Sequence, residues 1–92
     1  MSILHELELI IADRKANPRQ DSYTCHLFDR GLDEIVKKVG EEAIEVIVAA
    51  TNQSDGRLTE ESADLVYHLL VLLAQRGVSW SAVETELASR RR

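Results

Sequence analysis

A chain of 92 residues, 45% hydrophobic and 29% charged, is long enough to fold as a single domain over residues 1–92, and its composition excludes a disordered or fibrous polymer. The net charge of -5 argues against a nucleic-acid partner, which would need a concentrated basic face. The one cysteine, Cys25, cannot close an internal disulfide, and no Cys/His spacing matches a zinc site.

Ser2 suits the N-cap of a first helix whose apolar residues Ile3, Leu4, Leu7, Ile10 and Ile11 recur at three- and four-residue steps. That helix should end near Ala16, because Asn17 precedes Pro18 and is steered away from the helical conformation. No basic segment precedes the first apolar residues, so no secretory signal is expected. Residues 18–24 read as a polar loop, and residues 25–30 as a short helix closed by Gly31. Cys25 is expected to pack as a small side chain rather than act as a nucleophile.

A second long helix is expected over residues 32–52. Leu32, Ile35, Val36, Val39, Ala43, Val46, Ile47 and Ala50 follow one another at helical spacing and read as one continuous face. Gly40 lies inside that helix at a cost of about 1 kcal/mol relative to Ala. A close helix approach or room for a ligand would account for it. Ser54-Asp55-Gly56 marks a short connection over residues 52–57, which makes the next helix antiparallel.

That third long helix should span residues 58–76 and stop at Gly77. Its apolar run, residues 65–74, is far short of the roughly 20 residues a bilayer requires, so no membrane partner and a cytoplasmic location are expected. The run is apolar on nearly every side, which points to burial against a second copy, most simply in a homodimer. Ser79 should cap a last helix over residues 80–89, with Trp80 as a packing residue. The basic run Arg90-Arg91-Arg92 reads as a solvated tail.

Two acid pairs interrupt this pattern: Glu42 with Glu45, and Glu61 with Asp64, each pair on one helix face. On a wheel turning 100° per residue with Val39 at zero, Lys38, Glu42 and Glu45 fall at about 260°, 300° and 240°, beside an apolar face centred at about 30°. With Leu65 at zero, Glu61, Asp64 and His68 fall at about 320°, 260° and 300°, again along one border of the apolar face. Counted from the connection, Glu45 and Asp64 come out nearly level. Four carboxylates at such a seam offer the hard oxygen ligands that Mg²⁺ or Mn²⁺ prefers, and such ions serve phosphoryl chemistry. The plainer reading is a set of solvated glutamates, with Glu60, Glu61 and Asp64 favoured near a helix N-terminus by its dipole.

Flanking residues narrow the choice. Lys37-Lys38-Val39-Gly40-Glu41-Glu42-Ala43-Ile44-Glu45, then Glu61-Ser62-Ala63-Asp64-Leu65-Val66-Tyr67-His68-Leu69-Leu70, with Ser22-Tyr23-Thr24 upstream, closely resembles the phosphoribosyl-ATP pyrophosphohydrolase family. The resemblance implies an all-α, MazG-like bundle of four to five helices completed by homodimerisation. It implies Mg²⁺-dependent hydrolysis of phosphoribosyl-ATP to phosphoribosyl-AMP and pyrophosphate, the second step of L-histidine biosynthesis. Carried over by motif position, Glu42, Glu45, Glu61 and Asp64 would be metal ligands and Glu41 a further catalytic acid. Lys38, Ser22, Tyr23, Thr24 and His68 would meet the substrate, although Ser22 and its neighbours also suit a loop cap, and His68 also suits an internally satisfied histidine. Some family members are fused to a cyclohydrolase; the length of this chain suggests the stand-alone form. The acid pairs alone would mark only the wider superfamily. A pyrophosphatase of free (deoxy)nucleoside triphosphates is therefore the alternative, and a non-catalytic acidic helical interaction module a further one.

Overall fold

Serine side chains start four of the five helices in the computed structural model, which describes residues 2–91; Met1 and the last arginine of the basic run, Arg92, lie outside the described residues. Helix α1 spans Ile3–Ala16, α2 Tyr23–Arg30, α3 Leu32–Asn52, α4 Asp55–Arg76 and α5 Trp80–Ser89. Ser2, Ser22, Ser54 and Ser79 each accept a hydrogen bond from the backbone N–H three residues on, satisfying a donor that has no partner inside the helix. Helix α3 has no such cap. It follows α2 directly through Gly31, whose φ of 94° a side chain would resist. Gly77 ends α4 in the left-handed conformation, its N–H and that of Val78 closing on the carbonyls of Ala74 and Leu73.

Two helices begin earlier than periodicity predicts. Ser22 caps α2 at Tyr23, so Tyr23 and Thr24 are helical rather than part of a loop. Ser54 caps α4 at Asp55, so the expected connection of residues 52–57 shrinks to Gln53 and Ser54. Three extra residues lengthen the start of α4 by about 4.5 Å. Counted from the shorter connection, Asp64 therefore comes nearer the level of Glu42 than that of Glu45.

The core gathers Ile11 from α1, Leu27 from α2, Ile35 from α3, and Leu70 and Val71 from α4, with Leu4, Leu7, Phe28, Val66 and Trp80 packed against it. Trp80 is thus a packing residue. Its backbone N–H donates to Glu8 at 2.6 Å and holds the start of α5 against α1. Cys25 is buried, donating to the Arg14 carbonyl and accepting from the Arg19 N–H.

The apolar face of α3 does not behave as one surface. The fully buried apolar residues of α3 are Ile35 from that face and Ala49 from outside it, at about 320° and 280° on the wheel used above. Val36, Ile44 and Ile47, at about 60°, 140° and 80°, stay exposed. Glu42 is therefore centred on the buried sector instead of lying along its border. In the run at residues 65–74 of α4 every member is buried or half-buried within the single chain. Exposed large apolar side chains lie on α3, at Val36, Ile44 and Ile47, and also on α1, at Ile3, Leu9 and Ile10. Among the described residues no helix is long and apolar enough to cross a membrane.

Ile35 is fully buried where α2, α3 and α4 meet. Ile35→Ala should lower unfolding free energy by about 2–5 kcal/mol in urea titrations at fixed protein concentration. A loss well under 1 kcal/mol would remove it from the core.

Candidate metal and phosphate site

Helices α3 and α4 form an antiparallel hairpin, and three carboxylates meet in its seam. Oxygens of Glu42, Glu61 and Asp64 all lie within 4.8 Å of one another. Glu61 is only 6% exposed, although it carries a carboxylate. Glu45, the fourth acid of the expected set, is exposed one turn beyond Glu42 and stands outside this triad, as does the exposed Glu41. Glu42, at the centre of the buried sector, meets both acids of α4, whereas Glu45 is turned about 60° further round the helix and is exposed. Three hard oxygen donors at this spacing fit a divalent cation such as Mg²⁺.

Each helix supplies a base one turn before its seam acid. Lys38 Nζ lies 3.6 Å from both Glu41 and Glu42. Arg57 hydrogen-bonds Glu61 through one guanidinium nitrogen and pairs with Glu60 at 3.4 Å through another. Arg57 escaped the sequence reading because it was assigned to the connection; its i,i+4 spacing to Glu61 was the available signal. Partial burial works against the charge on Lys38, but Tyr23, Glu41 and Glu42 outweigh it and hold its pKa above the ordinary lysine value. Lys38 is a stable cation at neutral pH.

The substrate-end residues separate into two groups. Ser22 is occupied as the cap of α2, accepting from the Cys25 N–H, and Thr24 is buried with its hydroxyl on the Tyr67 phenol. Tyr23 is half exposed, and its ring stands edge-on to His68. His68 is buried with both ring nitrogens engaged. Nδ1 lies 2.7 Å from the Asp64 carbonyl oxygen, which can only accept, so Nδ1 carries the proton. Nε2 is then the acceptor for the Tyr23 hydroxyl, also at 2.7 Å. Burial raises the Tyr23 pKa; Lys38 opposes the shift, while Glu42, Tyr67 and Asp64 add to it. The phenol therefore stays protonated at neutral pH and acts as a donor. Tyr23 and Lys38 remain open to a ligand beside the carboxylates. Ser22, Thr24 and His68 face partners within the chain.

The phosphoribosyl-ATP pyrophosphohydrolase family model matches residues 4–91. The chain belongs to that family. It is 57% identical over 90 residues to the phosphoribosyl-ATP pyrophosphatase of Lactiplantibacillus plantarum, covering 98% of this chain and 85% of that protein. A protein of the same name from Listeria monocytogenes is 52% identical over 88 residues, covering 96% of this chain and 84% of the relative. The histidine biosynthesis bifunctional protein HisIE of Thermoanaerobacter pseudethanolicus is 49% identical over 84 residues, which make up 39% of that longer protein. Family membership agrees with the all-α fold and with the acid-rich hairpin.

The His68 tautomer is directly measurable. Nitrogen-15 correlation spectra near pH 7.5 should show the Nδ1–H form, with Nε2 shifted as a hydrogen-bond acceptor. An Nε2–H pattern would leave Nδ1 without a proton for the Asp64 carbonyl and so refute the Tyr23–His68–Asp64 chain drawn above.

Proposed function

We propose that this chain is a phosphoribosyl-ATP pyrophosphohydrolase, a single cytoplasmic domain over residues 1–92 that cleaves its substrate between the α and β phosphates. The observation that carries this reading is the Glu42/Glu61/Asp64 triad at the hairpin seam of a chain whose full-length relatives bear that name. A free, buried Cys25 agrees with a reducing compartment.

Glu42, Glu61 and Asp64 would hold Mg²⁺, with Glu45, one turn from Glu42, as the fourth acid of the set. When bound, the cation supplies charge neutralisation on the polyphosphate and polarises the anhydride to be broken. Everything else falls to the chain. Lys38, permanently cationic beside Glu42, attracts the phosphate chain and offsets its negative charge. Tyr23, whose one proton is given to His68 Nε2, presents its hydroxyl oxygen as an acceptor and its half-exposed ring to the nucleotide end. His68 acts through Tyr23 and the Asp64 backbone, fixing both rather than touching substrate itself. Water then adds to one phosphorus of the α–β anhydride, the bridging oxygen leaves with the other, and the water gives up its proton. Glu41 and Glu45 are exposed carboxylates within a turn of Glu42 and can accept that proton. The products are phosphoribosyl-AMP and pyrophosphate.

The same reading includes a homodimer that covers the outer face of α3. Ile44 and Ile47 are 60% and 61% exposed, and the distal half of the hairpin contributes nothing to the core cluster. Gly40 lies on the same outward side, with nothing within 4 Å of where its Cβ would stand. A second copy of this face would bury the exposed residues, and Gly40 would let the two backbones approach closely.

Pyrophosphate release from phosphoribosyl-ATP with Mg²⁺, assayed beside dUTP, dCTP and ATP, tests the activity. Asp64→Asn should lower kcat at least about a hundredfold with unchanged helical circular dichroism. Turnover of the free triphosphates without phosphoribosyl-ATP would replace the substrate assignment. In sedimentation at micromolar concentration the wild type should run as a dimer and Ile47→Glu as a folded monomer. A monomeric wild type would sink the α3 interface.

A further inference from the structure

Arg57 is not accounted for by the mechanism above, yet it pairs directly with the seam carboxylate Glu61. Glu61 is 6% exposed and shares a 4.8 Å cluster with two other carboxylates. Burying a carboxylate among like charges is strongly unfavourable unless a positive group compensates it. In the absence of a divalent cation that compensation comes from the Arg57 guanidinium, reaching forward one helical turn to Glu61.

Arg57 is also built to let go. It is 45% exposed, so its charge returns to water without a large desolvation change. It already has a second partner in the exposed Glu60, at 3.4 Å, which can keep the side chain near the site after Glu61 is released. Lys38 differs on the other helix, because it is less exposed and is held between Glu41 and Glu42. The two bases therefore have separate tasks. Lys38 stays at the site as a phosphate-facing cation, while Arg57 stands where the metal must compete.

We propose that Arg57 is the resident counter-ion of the Glu42/Glu61/Asp64 cluster, holding Glu61 in the cation-free protein and surrendering it when a divalent cation binds. This rests on the reading that the cluster holds such a cation. Arg57 is then a positioning residue: it keeps the Glu61 carboxylate aimed into the seam and lowers cation affinity by the strength of the ion pair that must be broken.

The test is calorimetric titration of the substrate-free protein with Mn²⁺, using wild type, Arg57→Gln, Arg57→Lys and Asp64→Asn. Removing the competitor should tighten Mn²⁺ binding about two- to fivefold in Arg57→Gln, the effect of losing a partly exposed ion pair. Arg57→Lys, which keeps the charge, should restore near-wild-type affinity. Melting curves should show Arg57→Gln destabilised without Mn²⁺, with most of that loss recovered at saturating Mn²⁺. Equal or weaker Mn²⁺ binding by Arg57→Gln, in a wild type whose binding Asp64→Asn abolishes, overturns the counter-ion role alone. A wild type that binds no Mn²⁺, or binding that Asp64→Asn leaves intact, overturns the cation site and the counter-ion role together.

Discussion

Like-charge repulsion in the α3–α4 seam is the constraint that the rest of the structure serves. Two unit charges about 5 Å apart repel by about 3 kcal/mol at the effective dielectric of a protein surface region. Three carboxylates within 4.8 Å make three such pairs. A small domain has a total stability of about 5–15 kcal/mol, so this arrangement survives only with positive charge close by. The chain provides it locally, with Lys38 before Glu42 and Arg57 before Glu61, each on the same helix as its acid. The motif acids and their flanking bases are one electrostatic unit.

Holding such a unit in place needs a rigid frame, and the frame comes from elements that carry no charge in the cluster. Ser54 starts α4 early and the two-residue connection ties it closely to α3, which sets the relative height of the acids. His68, buried one turn after Asp64, binds the carbonyl of that residue and anchors Tyr23 from α2 with its other nitrogen. Thr24 and Tyr67 make a second link between the same two helices. Helix α2 is thereby fastened to the hairpin at the point where a nucleotide would approach. Each of these groups has a buried polar atom satisfied by the other, so the links orient the site without leaving an unpaired donor.

The helices themselves were legible from periodicity, capping serines and the terminal glycines at 31 and 77. What misled the reading was turn chemistry. Ser54-Asp55-Gly56 carries the signature of a loop, yet Ser54 is an N-cap, and Gly56 is tolerated in the first turn. That error of three residues moved Asp64 up beside Glu45 and hid Arg57 in the connection. The partners of Thr24 and His68 lie 43 and 45 residues away, and no local pattern announces such contacts. The plainer reading of Glu61 and Asp64 as acids placed for a helix dipole weakens for the same reason, since α4 begins six residues before Glu61.

The division of the α3 surface has a deeper cause. A hydrophobic stripe says that a face leaves water, but not which molecule covers it. Averaging the apolar residues of α3 gave a face centred between its two real surfaces: one edge against α4, marked by Ile35 and Ala49, and one bare edge, marked by Val36, Ile44 and Ile47. Glu42 and Glu45 stand on the first side and Gly40 on the second. The helix that supplies Glu42, one of the three clustered acids, thus also carries uncovered apolar surface. Any copy that packs on that bare edge bears on the backbone from which Glu42 projects. A copy packed there would join assembly to the spacing of the carboxylates through α3, because a packed helix shifts as a body and not side chain by side chain.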